Sequence, residues 1–406
     1  MRTIGVVSTS RSDYGIYKPL LETINTDSEL ELRMLVSGMH LSAQHGATVR
    51  VIEQDGFPIA ERIEMLLSSD TPQGISKSVG VGVIGFADAF SRWRPDILVV
   101  LGDRFEMHAA ALAALPFKIP VAHLSGGELT EGAIDDALRH SLTKLSHLHF
   151  ATTEEYRRRI VQLGEEPWRV TVAGEPSLDQ LHGMQFLSRE ELERRFSVRL
   201  DRPFVLLTFH PVTLEYEQAE WQITEVLAAL ESTGTTAVFT MPNADTGNHV
   251  IREKIRHFVA AHPDSRVVDN FGIHAYFSMM KLASAIVGNS SSGIVEAPSF
   301  ALPAVNIGTR QDGRVRARNV IDVGYGKEDI SHGIMKAVSR AFRNSLCGMV
   351  NPYGTGRASR IITERLRNVE LGDGLIRKKF YSPPAGEQDD REPLEPETNP
   401  CLSDGK

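Results

Sequence analysis

Asp96-Ile-Leu-Val-Val-Leu-Gly-Asp103 is an apolar, β-branched run of strand length that stops at a glycine and a carboxylate. A run without alternation suits a strand buried on both faces, as in a parallel sheet covered by helices. Open α/β sheets bind their ligands beyond the carboxyl ends of such strands, which is where Asp103 falls. A second short strand, Ile119-Pro-Val-Ala-His123, delivers His123, Gly126-Gly127 and Glu128 to the same edge. Asp135 and Asp136 then open a helix on which Arg139, His140 and Lys144 follow at helical spacing. Acids from three consecutive strand ends or helix starts converge on one cleft, and such convergence marks a site.

Outward from this stretch the chain keeps alternating. Thr3-Ile-Gly-Val-Val-Ser8 reads as a strand, Thr9–Gly15 as a polar turn and 16–24 as a helix. That corner offers free helix N–H groups to an anion, with Arg11 as a phosphate clamp. It lacks the G-x-G-x-x-G spacing of a dinucleotide fingerprint. Further strands over 31–36 and 147–152, and an amphipathic helix over 75–93, imply a doubly wound parallel sheet for residues 1–173. His147 and His149 alternate with apolar neighbours and have no third ligand at metal-binding spacing, so they read as core histidines.

Ala173-Gly-Glu-Pro-Ser177 breaks the pattern and starts a crossing into a second domain, residues 174–357. There Phe204–Phe209 is a strand ending at His210-Pro211, and Ala237–Met241 is one ending at Pro242-Asn243. Ser265–Val268 is a third strand, Tyr276–Ala283 a helix, and Ala285–Gly288 a strand. Asn289-Ser290-Ser291-Ser292-Gly293 then turns into a helix through Glu296. Three hydroxyls exceed the needs of a helix cap and offer donors to a phosphate. Glu296, one turn on, would repel a phosphate and suits a pair of adjacent hydroxyls such as a ribose diol. The loop 308–318 carries Arg310, Arg314, Arg316 and Arg318 without aromatics between them, which fits a small anionic ligand or an ion-pair network. A final helix from Ala358, running to about 380 with its flank, returns to the first domain. From Ser382 to the end, Pro, Glu, Asp and Gly dominate and an unstructured acidic tail is expected.

Bulk properties narrow the function. Seven acidic and two basic side chains lie from Ser382 on, so of the net charge of −8 the folded body carries only −3. That excludes a nucleic-acid binder. Two cysteines exclude a disulfide framework, and no apolar stretch is long enough to span a membrane. With a first strand starting at once and no room for a signal peptide, a reduced cytoplasmic protein is expected.

With these residues in view, the chain resembles the hydrolysing UDP-N-acetylglucosamine 2-epimerases over residues 1 to about 370. The matching motifs are Thr9-Ser-Arg-Ser-Asp-Tyr-Gly15, Gly102-Asp-Arg-Phe-Glu106, His123 through Gly-Gly-Glu128, Ile134-Asp-Asp through Arg139-His140, and Gly288-Asn-Ser-Ser-Ser-Gly-Ile-Val-Glu-Ala-Pro298. The resemblance implies an α/β fold of two Rossmann-like domains facing a cleft, the B-type glycosyltransferase fold. It implies conversion of UDP-GlcNAc and water to N-acetylmannosamine and UDP through a glycal, for sialic acid-type sugars. No cofactor or metal is implied, and a homodimer or homotetramer is expected. By motif, Asp103 and Asp135 match catalytic carboxylates and His210 lies beside the departing diphosphate. Arg11, Ser290 and Ser291 fall on the phosphate side, Glu296 on the ribose, and Tyr276 where an aromatic stacks on uracil. His123, Asn243, Ser292 and Arg310 complete the expected substrate-binding set.

The chain departs from the pattern at Ser125, where many relatives carry Glu or His. Ser cannot act as a base at neutral pH, so either Glu128 supplies the missing carboxylate or Asp103 and Asp135 carry the role. A UDP-2,4-diacetamido-2,4,6-trideoxyhexose is the alternative substrate, and a glycosyltransferase on the same scaffold the alternative enzyme.

Overall fold

The structure is a computed structural model that describes residues 1–383 other than 44–45, 68–70, 132–133, 213–214, 243–247 and 270. The first sheet comprises β1 (Arg2–Ser8), β2 (Leu30–Ser37), β3 (Ile59–Ile63), β4 (Ile97–Leu101), β5 (Val121–Leu124), β6 (Leu148–Ala151) and β7 (Val170–Val172). Its order is β3-β2-β1-β4-β5-β6-β7, every pair parallel. The chain therefore reverses its direction of travel between β1 and β4, and a crevice opens beyond their carboxyl ends. Thr9 leaves one strand there and Gly102-Asp103 the other.

The second sheet repeats the construction. It comprises β8 (Phe204–Thr208), β9 (Thr236–Thr240), β10 (Arg266–Val268), β11 (Ala285–Gly288), β12 (Ala304–Ile307) and β13 (Val320–Val323), in the order β10-β9-β8-β11-β12-β13, again all parallel. Its reversal lies between β8 and β11, whose ends carry His210 and Asn289. These two sheets with their covering helices form a two-domain α/β fold, as expected. The edge strands β7 and β13 are not named in the sequence reading. At three and four residues they are too short for a period to show.

Two crossings join the halves. Gly174, at a φ of 89°, abuts Gly354, and the amide of Glu175 donates to the carbonyl of Tyr353 at 2.7 Å. Asp179 then accepts from the amides of Ala358 and Ser359, at 2.9 and 2.5 Å, and so caps the last long helix, Ala358–Asn368. Ala358, Ile362 and Leu366 of that helix bury themselves in the core of the first sheet. Beyond it, the fully buried Arg169 guanidinium gathers the carbonyls of His147, Gly374, Leu375 and Arg377.

His147 and His149 are occupied within the fold: His147 Nδ1 accepts from the amide of Val121 at 3.1 Å, and His149 Nε2 meets Glu165 at 3.0 Å. The tail expected to be unstructured lies outside the described residues from position 384 on. Among the described residues no helix is long and apolar enough to cross a membrane.

The tightest backbone approach is at Gly288, which closes β11 at a φ of 127°. A Cβ there would sit 1.9 Å from the carbonyl oxygen of Thr208 on β8. Gly288→Ala must therefore push β8 and β11 apart at the crevice. We expect a loss of about 3 kcal/mol or more, measured by urea unfolding.

Candidate active site

One wall of the cleft is assembled on a single guanidinium. Arg139 lies on the helix Ile134–Leu145 and is 3% exposed. Its Nη1 donates to the carbonyl of Ser125 at 2.7 Å and stands 3.7 Å from Glu128 Oε2. Its Nη2 donates to Asp103 Oδ2 and, at 3.1 Å, to Thr130 Oγ1. A planar fork with five donors can hold two carboxylates and a loop carbonyl together, which the flexible point charge of lysine cannot. Asp103 keeps a side chain 22% exposed, so its carboxylate is both pinned and reachable from the cleft.

Asp135 precedes Arg139 by one turn. Burial raises its proton affinity, and the neighbouring Asp103 adds to the effect. The adjacent Asp136 is committed elsewhere: it accepts from the amide of Thr130 at 2.9 Å and faces His140 at 3.4 Å. A carboxyl group of raised proton affinity beside a carboxylate pinned by a guanidinium is an arrangement suited to acid–base chemistry. Glu128 receives a hydroxyl from Thr152 at 3.0 Å and the guanidinium of Arg314, from the other domain, at 3.5 Å. The walls thus meet at Glu128. Ser125 holds a left-handed φ of 58°, uncommon for a non-glycine residue.

Two groups expected at the ligand are engaged within the fold. His123 is fully buried, with Nε2 on the carbonyl of Gly102 at 2.8 Å and Nδ1 on Thr143 Oγ1 at 3.2 Å. Burial pushes it down to about 3. It braces the Gly102-Asp103 turn, with both ring nitrogens engaged. At the β1 corner, Asp13 turns back to accept from the amides of Thr9 and Ser10, at 2.9 and 3.0 Å, and from the hydroxyls of Thr9 and Ser8. This carboxylate thus occupies the two amides that precede the helix. Arg11, in the first turn and exposed, is the cation left there for a ligand.

The facing wall is tied across the second reversal point. The amide of His210 donates to Asn289 Oδ1 at 2.7 Å, and Asn289 Nδ2 donates back to the His210 carbonyl at 2.8 Å. Arg310 Nη1 and Gln311 Nε2 both donate to the Asn289 carbonyl, at 3.0 and 2.9 Å. Burial, with Arg310 nearby, pushes His210 down to about 3, so its ring is neutral when the site holds no anion. Glu215 locks these loops, accepting from Thr309 Oγ1 at 2.6 Å, Tyr325 OH at 2.7 Å and Gln222 Nε2 at 2.9 Å.

The serine turn differs from the expected helix start. Its helix is one turn, Ser292–Val295, and the amides of Gly293, Ile294 and Val295 bond back to Ser290 and Ser291. The dipole of one turn is small, so the hydroxyls are the donors that count here. Ser292 lies beside both Tyr276 and Glu296. Burial pushes the Tyr276 phenol up to about 12, with the hydroxyls of Ser292 and Thr208 as its partners. Glu296 accepts from Ser177 Oγ at 3.3 Å, and burial raises its proton affinity. Its Oε2 is buried without a protein partner. Asn243 lies outside the described residues.

With two walls of this kind, the comparisons with known proteins are specific. The family model described as UDP-N-acetylglucosamine 2-epimerase matches residues 22–367. The chain belongs to this family. A GDP/UDP-N,N'-diacetylbacillosamine 2-epimerase (hydrolyzing) of Campylobacter jejuni is 38% identical over 93% of this chain and 98% of its own. The polysialic acid biosynthesis protein P7 of Escherichia coli is 37% identical over 87% and 90%. The crystal structure of the Neisseria meningitidis UDP-GlcNAc 2-epimerase bound to UDP-GlcNAc superposes with a TM-score of 0.78 at 20% identity, covering 90% of this chain and 99% of that one. By family, the chain is a hydrolysing UDP-sugar 2-epimerase.

Three residues of this 2-epimerase escape the sequence reading: Glu175, Glu215 and the specific role of Arg314. Arg314 is visible in sequence only as one of four loop arginines, and Glu175 only as a polar residue between two chain breakers. Glu215 follows His210-Pro211 in a loop without regular period.

Arg139 gives the sharpest test of the first wall. Arg139→Met leaves Asp103 and Glu128 without their shared counter-charge. The expected loss is about 3–5 kcal/mol in urea unfolding at neutral pH, with Arg139→Lys falling between it and the wild type.

Proposed function

We propose that this 2-epimerase removes the C2 proton of a UDP-activated N-acetylated hexose while UDP departs from C1, and then adds water to the resulting glycal. In the first step the C2–H bond breaks, its electron pair forms the C1–C2 double bond, and the C1–O bond to UDP breaks. In the second, water oxygen bonds C1 and a proton returns to C2 from the opposite face, releasing the free 2-epimer. Such chemistry asks for a carboxyl group of raised proton affinity beside a pinned carboxylate. Asp135, with Asp103 held by Arg139, is the observation that carries the reading. Glu128 supplies the further carboxylate that Ser125 cannot. His210, Arg310, Arg11, Ser290 and Ser291 take the diphosphate, whose charge raises the proton affinity of a neutral His210. Glu296 and Ser292 take the ribose diol, and Tyr276 and Asn243 the base.

For the sugar we favour UDP-2,4-diacetamido-2,4,6-trideoxyhexose over UDP-GlcNAc. The hydrolysing diacetylbacillosamine 2-epimerases of C. jejuni and Legionella pneumophila are 38% and 35% identical to the chain, against 32% for a UDP-GlcNAc 2-epimerase of N. meningitidis. The likeness to the N. meningitidis UDP-GlcNAc 2-epimerase supports UDP-GlcNAc, and that to the polysialic acid biosynthesis protein P7 a sialic acid-type product, as the second reading. The reading also includes a cytoplasmic homodimer or homotetramer.

In D2O, NMR of the protein with each UDP-sugar should show UDP release and a free 2-epimer deuterated at C2. Neither sugar giving UDP, or a product without deuterium, sinks the reading. A second measurement separates epimerase from glycosyltransferase. Asp103→Asn should lower kcat about 100-fold or more with UDP binding retained in calorimetry, whereas transfer to an acceptor would survive the change.

A further inference from the structure

Three carboxyl side chains gather where the two crossings meet: Glu128 from the first wall, Glu296 from the second, and Glu175 on the crossing itself. Their protein partners are unequal. Glu128 has Thr152 and the guanidinium groups of Arg139 and Arg314. Glu296 has the hydroxyl of Ser177, with Ser292 beside it. Glu175 is 8% exposed, its Oε1 has no hydrogen-bond partner among the described residues, and the backbone N–H of Ser177 lies beside its carboxyl. Three ionised carboxylates in a buried space around Arg314 would repel strongly, because the low dielectric strengthens every like-charge contact. Glu175 and Glu296 each keep one oxygen without a partner among the described residues, and of the two Glu175 is the more deeply buried, which favours it as the one that carries a proton.

We propose that Glu175 is the proton-carrying member of this cluster, a positioning residue whose uncharged carboxyl lets Glu128 and Glu296 stay seated on opposite walls of the closed cleft. Its backbone is well placed for the task. The amide of Glu175 is fixed to the Tyr353 carbonyl, and Gly174 stands against Gly354, so both crossings share one pivot at this residue. The electrostatics agree: burial, then Glu128 and Glu296, push Glu175 up from 4.5 to about 8, against an opposing pull from the Ser177 amide and Arg314. Loss of the proton at alkaline pH adds a negative charge on the pivot between two others and drives the walls apart.

The enzymatic part of this inference rests on the proposed function; the stability part does not. Between about 4.5 and about 8 the folded chain keeps a proton that the unfolded chain releases, so wild-type stability falls with rising pH through that window. Glu175→Gln has no such proton. Its thermal midpoint should climb relative to wild type by several degrees from pH 5 to pH 8. Parallel midpoints across that range overturn the proposal without any substrate being involved. In turnover of the UDP-sugar, Glu175→Ala should raise KM about tenfold, with kcat less affected. Glu175→Gln should recover most of that loss at pH 7 and lack the fall in kcat/KM that wild type shows above pH 8. A folded Gln variant no better than Ala, or one that keeps the wild-type alkaline fall, overturns the proposal. Should Glu175→Ala not fold, the Gln comparison stands alone. Absence of turnover in wild type would count against the proposed function, and the melting comparison would still decide the role of Glu175.

Discussion

A single buried guanidinium organises the first wall of the cleft. Arg139 holds Asp103 from the end of β4, the Ser125 carbonyl from the end of β5, Thr130 and Glu128 from the loop that follows. These groups would not converge by packing, since they come from the connections after β4 and after β5 and every one of them offers negative charge or a lone pair. Burying Arg139 without them would be costly, and burying them without it would be costlier. Mutual need fixes the geometry. His123 performs the matching task from below, bracing the backbone of Gly102 while staying neutral.

Both halves of the molecule solve the same problem in the same way. A doubly wound parallel sheet leaves a crevice where the strand order reverses. In the first half that crevice lies between β1 and β4, and in the second between β8 and β11. The second is laced shut by the reciprocal bonds of His210 and Asn289, with Glu215 holding the flanking loops. Arg314 reaches from one half to Glu128 in the other, and Tyr156 of the first half meets Tyr353 and the amide of Val315. The two halves are thereby tied across the cleft, with Glu175 on the crossing between them.

Much of this is legible in the chain itself. Asp96–Asp103 reads as a strand ending in a carboxylate, and the structure places β4 and Asp103 there. Three local patterns have groups that partners within the fold already engage. Thr9-Ser-Arg-Ser-Asp13 has the composition of an anion corner, yet Asp13 supplies the anion from within. His123 has the position of a ligand and the surroundings of a brace. The serine turn has donors in plenty, though its amides are spent on the turn. In each case a local pattern offers hydrogen-bonding groups, and partners distant in space or folded back locally decide which remain for a ligand.

The sequence by itself determined the strand–helix alternation, the two halves, the family likeness and the acids at the strand ends, because hydrophobic period and turn chemistry act over a few residues. Only the tertiary structure decided which acids share a counter-charge, which histidines are neutral and which carboxyl keeps its proton. Those properties depend on desolvation and on charges brought together from positions as far apart as Glu128, Glu175, Glu296 and Arg314. Spacing along a chain carries no record of such distances.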